Sequence, residues 1–340
     1  MSEDLLHSAI IVTTADAEHF DLAWEMIESV RQHACLDPIK IGMLDVGLTD
    51  AQRSFLLAKN VVVARAEWKF DSDPPPGMPR RYLAMFARPF LPDFFTGFDP
   101  LVYLDSDTWI QIPSGVNDLI AAAAKVDVAA IPEMHPSYMH LYDPRHAVRL
   151  SHRSTFAGTY GQGIPNPADN VVLNSGVLAA RRESRLWKAW VLSLAEALAR
   201  VRDVVSPNGK PLFATSHPIP HFIEQNALNH ACYQRGLSLH PMSALYNFIC
   251  TLSEPLFDPE INKLVEPTPP NAPIKIIHLT GAGRKARIVG DRNGGVLQRG
   301  MRWRDWRETL ACWRALDIPG VATPNHLTFN SDPAGSGRPS

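Results

Sequence analysis

Apolar positions along the chain alternate between two rhythms. Segment 8–14 (SAIIVTT) is a short β-branched run, which predicts a buried strand. Segment 17–34 then sets Phe20, Ala23, Trp24, Ile27 and Val30 at helical spacing. KIGMLDVG (40–47) and VVVARAEW (61–68) read as further strands, with a helix over 50–59 between them. Strand–helix–strand alternation implies parallel strands joined by crossover helices. The prolines of 71–80 mark a loop, and 81–95 reads as a helix broken at Pro89 and Pro92. LVYLDSDTWI (101–110) runs four buried-strand residues straight into two carboxylates. A short alanine-rich helix (116–125) and a strand (126–133) follow. From 134 to 169 the pattern lapses into Pro, His, Tyr and Gly, the character of a lid or acceptor loop. Segment 170–182 is strand-like but interrupted by Asn174-Ser175-Gly176. Helices are expected over 183–203 and 222–235, the second closed by Gly236. PIKIIHLTG (273–281) is the last clear strand, and 299–316 a helix rich in Trp and Arg.

This pattern divides the chain into one α/β domain over 1–288, a helical extension over 289–320 and a flexible tail over 321–340 rich in Pro, Gly and Ser. The net charge is −2, from 33 basic and 35 acidic residues, so no global field drives binding to nucleic acid. Cys35, Cys232, Cys250 and Cys312 are far apart and lack zinc-type spacing, as expected for reduced thiols of a cytoplasmic protein. The opening MSEDLLHSAIIV lacks the basic region and cleavage site of a signal peptide. No apolar run reaches the ~20 residues that span a bilayer. The helix over 301–316 places Trp303, Trp306, Leu310 and Trp313 on one face, flanked by Arg302, Arg304, Arg307 and Arg314. Two expectations stand for it: packing on the domain, or peripheral contact with an anionic membrane at its inner face.

Four clusters carry candidate chemistry. Asp105 and Asp107 emerge where a buried parallel strand ends, the edge at which open α/β sheets bind ligands. Two carboxylates one residue apart in a bending chain can face one point, which suits Mg²⁺ or Mn²⁺ and the phosphates it neutralises. They can equally be a solvated turn. Haloacid dehalogenase phosphatases share Asp-x-Asp, but theirs follows the first strand and has Thr or Val where Trp109 stands here. Gly176 within a strand marks close approach of a backbone or ligand, or a bulge, and Asn174 beside it can both donate and accept. Glu224-Gln225-Asn226 sits at a helix start, as a polar site or as a first turn complementing the dipole. His278 ends an apolar strand, and glycines with Arg284, Lys285 and Arg287 follow. Such a His can complete an Asp/Asp metal site, and such a loop can cradle a diphosphate. The alternative is a core histidine and a basic surface turn. His135, His140, His146 and His152 fit no zinc spacing.

Taken in order, the strand-end Asp-x-Asp, the NSG strand, the EQN helix and the HxxG strand end resemble the retaining GT-A glycosyltransferases of family 8, the glycogenin and lipopolysaccharide-galactosyltransferase type. The resemblance covers residues 8–288 and includes FARPFLPDFF (86–95), which supplies Arg88. It implies a GT-A fold, with a Rossmann-like, mostly parallel central sheet flanked by helices. It implies metal-dependent transfer of a hexose from a nucleotide-diphosphate sugar, a UDP-sugar, to a saccharide, lipid-linked or protein acceptor, with retention. Asp105, Asp107 and His278 would hold Mn²⁺ or Mg²⁺. Thr14 and Asp16 would face the nucleoside. Arg88, Ser106, Gly281 and Arg284 or Lys285 would meet the rest of the donor. Asn174, Glu224 and Gln225 would line the sugar. The family's lysine position falls on Arg284, its Pro-Trp is replaced by Ala286-Arg287, its Asp by Glu224, and its acidic residue after Gln by Asn226. Gln225 is a poor nucleophile, so a same-face mechanism is expected over a covalent intermediate. The rivals are a catalytically silent nucleotide-sugar or carbohydrate-binding protein and a nucleotidyltransferase. The latter needs a glycine-rich loop after the first strand, which TTADAEHF lacks.

Overall fold

A computed structural model describes residues 3–143, 145–169, 171–281 and 287–311. The chain opens with α1 (Glu3–Ser8), β1 (Ile10–Asp16), α2 (Phe20–Arg31), β2 (Lys40–Gly47), α3 (Asp50–Ala58) and β3 (Val62–Arg65). The three strands are parallel, as the alternation predicts. β1 is covered on both faces, which is why its sequence is a continuous apolar run rather than an alternating one. α2 turns Ala23, Ile27 and Val30 inward, and α3 starts on a reciprocal Thr49–Gln52 capping box. The expected broken helix over 81–95 is a chain of single turns, including α4 (Leu83–Phe86) and α5 (Leu91–Phe94), because Pro89 and Pro92 each start a new turn.

β4 (Leu101–Leu104), β5 (Thr108–Ile110), α6 (Ser114–Ala123), β6 (Val128–Pro132), α7 (Ala147–Tyr160), β7 (Leu173–Ala180), α8 (Arg185–Val201), α9 (Pro218–Gln234) and β8 (Leu239–Pro241) follow. The main sheet runs β3-β2-β1-β4-β7-β6-β8. It is parallel except at β7, which is antiparallel to both neighbours. Apolar side chains from its two faces build two buried clusters beneath the flanking helices. The remaining strands are β9 (Phe248–Ile249), β10 (Leu256–Asp258), β11 (Lys263–Val265), β12 (Ile276–His278), β13 (Arg287–Gly290) and β14 (Val296–Arg299), and α10 (Trp303–Ala311) ends the described chain. β5, β12 and β9 form a small second sheet.

Two expectations need correction, and one pair of alternatives is decided. Segment 134–169 is not without regular structure: it contains α7, whose buried face is His152, Thr155, Phe156, Thr159 and Tyr160. That face has helical spacing, but most of it is polar, so hydrophobicity alone hides it. α9 begins at Pro218, earlier than expected, because prolines are tolerated in a helix's first turn. Glu224 and Gln225 therefore lie in its second turn and cannot act as first-turn dipole partners. For the Trp-rich helix, packing on the domain is the alternative realised by the described residues. Trp303 and Trp306 are 3% and 0% exposed. Arg302 pairs with Glu25, and the Trp109 indole N–H donates to the Met301 carbonyl at 2.9 Å. These indoles are part of the core, so they are not free to enter a membrane. Trp313 and Arg314 lie outside the described residues. Among the described residues no helix is long and apolar enough to cross a bilayer.

Candidate functional site

The convergence of the two aspartates with His278 follows from strand register. β4 ends at Leu104, and the Thr108 N–H and hydroxyl both bond to the Asp105 carbonyl, at 3.0 and 2.8 Å. That tight turn sends the chain into β5, where Thr108 stands opposite His278 on antiparallel β12. The Leu279 N–H bonds the Asp107 carbonyl at 2.9 Å and locks the crossing. His278 Nε2 then lies 3.3 Å from Asp107 Oδ1 and 3.8 Å from Asp105 Oδ2. One ligand atom from each residue lies within 4.8 Å of the others. Asp105 Oδ1 is held from the opposite side by Arg88 and by the Tyr103 hydroxyl, at 2.9 Å from the latter. Its second oxygen is thereby aimed at the cluster. Two carboxylates and an imidazole nitrogen make a donor set that fits Mn²⁺ or Mg²⁺.

Gly176 makes this approach feasible. It lies in β7, where the Asp105 N–H bonds its carbonyl at 2.7 Å. A Cβ there would stand 2.5 Å from Asp105 Oδ2 and 2.6 Å from His278 Cε1. Both expectations for this glycine are realised: the close approach, and a bulge in β7, where register with β6 jumps from Ala130–Leu178 to Ile131–Asn174.

Charge at the cleft floor is unevenly matched. Arg88 is stacked 4.6 Å over the Tyr103 ring and serves both Asp105 and Glu224. It contacts Asp105 closely and Glu224 at 3.3 Å, and Ser175 Oγ donates to Glu224 at 2.9 Å. Burial depresses the Arg88 pKa, but Asp105, Tyr103 and Glu224 outweigh that and raise it, so it stays charged. For Glu224 burial wins over Arg88 and Ser175, and its carboxyl is pushed up to about 7. The two shifts are compatible because Arg88 is committed mainly to Asp105. The folded state thus holds a proton on Glu224 that the unfolded chain releases near its ordinary value. Stability from this group is full below about pH 4.5 and is lost as pH rises through about 7. Glu224→Gln should therefore gain on the parent as pH rises across that window, read as the difference in melting temperature. Parallel pH profiles would show that Glu224 does not titrate there.

A second buried network lies alongside. Glu133 directly follows β6 and pairs with His152 of α7 at 3.0 Å. Its Oε1 accepts from Asn174 Nδ2 at 3.0 Å and Gln225 Nε2 at 3.2 Å. Burial works against charge on His152, but the Glu133 carboxylate overcomes it and raises the His152 pKa. Gln225 Oε1 accepts from the Ser175 N–H at 3.3 Å, so its amide is fixed at both ends.

Thr14, Asp16, Arg88, Asp105, Ser106 and Asp107 all line one cleft of 540 Å³. Asn174, Glu224, Gln225, His278 and Gly281 line the same cleft. Arg284 and Lys285 lie outside the described residues. Asp16 is engaged locally, its Oδ1 accepting from the Glu18 and His19 N–H groups. That turn draws Asp16, Glu18 and His19 into a second cluster of metal-ligand type. Sequence reasoning missed Tyr103, Glu133, His152, Ser175 and Asn247. Glu133 could have been found by the rule that singled out Asp105, a carboxylate just past a strand end. His152 was hidden with α7, and a lone Asn247 carries no signal.

The sequence matches no protein-family model and no curated protein. Among solved structures, the galactosyltransferase LgtC, determined in complex with donor and acceptor sugar analogs, superposes with a TM-score of 0.52. The match has 14% identity and covers 90% of this chain and 99% of that one. The glycosyltransferase GlyE of Streptococcus pneumoniae TIGR4 gives a TM-score of 0.48 at 16% identity, covering 91% of this chain and 63% of its own. The likeness to LgtC is one of fold: this chain has the GT-A architecture, a mostly parallel sheet flanked by helices.

Proposed function

We propose that this chain is a metal-dependent, retaining glycosyltransferase that moves a hexose from a nucleotide-diphosphate sugar, a UDP-sugar, to an acceptor hydroxyl. The observation that carries the reading is the convergence of Asp105, Asp107 and His278 in the cleft of a GT-A sheet, with Arg88 buried beside them. That LgtC was captured with donor and acceptor sugar analogs is consistent with it. Asp105, Asp107 and His278 would hold Mn²⁺ in preference to Mg²⁺, since an imidazole ligand favours the softer ion. When bound, the ion supplies Lewis-acid stabilisation of the charge that develops on the leaving diphosphate.

The chain's own groups do the rest. Thr14 and Asp16 flank the nucleoside, and Ser106, Gly281 and Arg284 or Lys285 the phosphates. Arg88 keeps a buried Nε–H that has no hydrogen-bond partner among the described residues. Its fixed positive charge favours the diphosphate more as that group separates than in the bound donor. Asn174 and Glu224 border the sugar. Gln225 has its carboxamide oxygen occupied by the Ser175 N–H and the Asn174 amide, which leaves it a poor nucleophile beneath the anomeric carbon. The acceptor oxygen would therefore bond to that carbon on the face from which the phosphate oxygen departs. The acceptor's proton passes to the leaving phosphate.

The catalytic unit in this reading is residues 1–288, with the 134–169 segment as lid or acceptor border, since Val148 and His152 reach the cleft. The acceptor is a saccharide, free or carried on a lipid or protein, met in the cytoplasm or at the inner membrane face. A silent binding protein would have little use for three converging ligands at a strand end. The test is a screen of UDP-, GDP- and CMP-hexoses with Mn²⁺ for thermal shift and hydrolysis. UDP-hexose should both stabilise the protein and be cleaved, with the first product keeping the donor's anomeric configuration by NMR. Stabilisation without any cleavage would favour the silent binder, and inversion would exclude the same-face step.

A further inference from the structure

Asn247 belongs to none of the motifs that carry the resemblance and lies outside the cleft lining, yet it is 1% exposed and hydrogen-bonded at both ends of its amide. Its position is set by the small sheet: it directly precedes β9, whose Phe248 and Ile249 pair with Ile277 and His278 of β12. The direction of each hydrogen bond around it can be assigned from one fixed point. The Gly176 backbone N–H can only donate, and it donates to Asn174 Oδ1 at 2.8 Å. That orients the Asn174 amide, and its Nδ2 end correctly meets the Glu133 carboxylate at 3.0 Å. Asn174 Oδ1 therefore needs a donor on its other side, so Asn247 presents Nδ2 there, at 2.9 Å. Asn247 Oδ1 is then left facing His278 Nδ1 at 2.8 Å. A carboxamide oxygen can only accept, so the His278 proton is on Nδ1. In the neutral ring the lone pair is then on Nε2, the nitrogen that faces Asp105 and Asp107.

We infer that Asn247 is a positioning residue for the metal centre: with Asn174 and the Gly176 N–H it forms an amide relay that holds His278 as the Nδ1–H tautomer. The inference rests on the metal reading above for its purpose, though the tautomer itself does not require it. Its consequence is specific. With Asn247 in place, three lone-pair donors converge on one point, and a cation relieves their repulsion. Without it, the neutral ring can move its proton to Nε2 and donate to Asp107 Oδ1. The site is then closed by an internal hydrogen bond that a metal ion must first break. Second-shell partners of this kind contribute about 10- to 100-fold in metal affinity.

Two measurements separate this from the metal reading. Long-range ¹H–¹⁵N spectra of metal-free protein at about pH 9, above the ordinary imidazole range, should show the His278 proton on Nδ1 in the parent and lose that preference in Asn247→Ala. Titration with Mn²⁺, followed by the loss of free-ion EPR signal, should show roughly 10- to 100-fold weaker binding for Asn247→Ala. Asn247→Asp, which keeps an acceptor at Nδ1 but loses the N–H that Asn174 Oδ1 accepts, should lose clearly less affinity than Asn247→Ala. Melting temperatures confirm that each variant is folded. An Nε2–H ring in the parent overturns the inference. So does parent-like Mn²⁺ affinity in Asn247→Ala, or an equal loss in both variants. A parent that has the Nδ1–H ring but binds no Mn²⁺ leaves the relay standing and defeats the metal reading instead.

Discussion

Asp107→Asn should abolish transfer while leaving the chain folded. The side chain is buried at the cleft floor with its oxygen 3.3 Å from His278 Nε2, so the substitution removes one of three converging ligands and one full charge. Loss of the ion it helps hold removes several kcal/mol of transition-state stabilisation, or a turnover drop of about a thousand-fold or more. Stability should change little, because the lost carboxylate stands near a second one and its removal relieves like-charge repulsion. Far-ultraviolet circular dichroism and a melting curve establish the fold, and donor turnover reads the effect. A folded variant with parent-like turnover would remove Asp107 from the site.

Gly176→Ala should be nearly as damaging, through one methyl group. The added carbon would meet Asp105 Oδ2 at 2.5 Å, His278 Cε1 at 2.6 Å and Asn174 Oδ1 at 2.9 Å. None of these is a loose side-chain end that can swing away. Asp105 is held by Arg88 and Tyr103, His278 by Asn247, and Asn174 by the Gly176 N–H itself. The ligands must therefore spread. Overpacking of this kind costs about 1–3 kcal/mol of stability, and displaced ligands should lower Mn²⁺ affinity by roughly 100-fold. Denaturant unfolding and Mn²⁺ titration measure the two effects separately. Unchanged Mn²⁺ affinity would mean that the close approach at Gly176 has nothing to do with the metal.

Much of this site could be read from the sequence because its parts sit at strand ends, where an abrupt change from apolar to charged residues is visible. LVYL is β4, and Asp105 and Asp107 emerge where it stops. HLTG after an apolar run placed His278 in the same way. The family order then joined these with Arg88, Asn174 and Gln225, and all of them reach one cleft. What stayed hidden depends on pairing or on polar burial. The antiparallel insertion of β7 between β4 and β6 leaves no local mark, since its eight residues are buried whichever way the strand runs. α7 turns two threonines and a histidine inward, so its amphipathic period is invisible to hydrophobicity. Trp109, two residues past Asp107, is buried in the core, where its ring lies 5.5 Å from that of Trp303. Of the tryptophans in the 301–316 helix, Trp303 thus packs on β5 and Trp306 on Phe257 of β10. Asn247 acts only through geometry that the backbone supplies.

The most direct test of the central claim is donor cleavage by the intact protein stripped of metal and then reloaded. UDP-hexose turnover should disappear in EDTA and return on adding excess Mn²⁺, with less recovery in Mg²⁺. The Asp107→Asn protein should stay inactive throughout. Full turnover in chelator would contradict a metal centre at Asp105, Asp107 and His278.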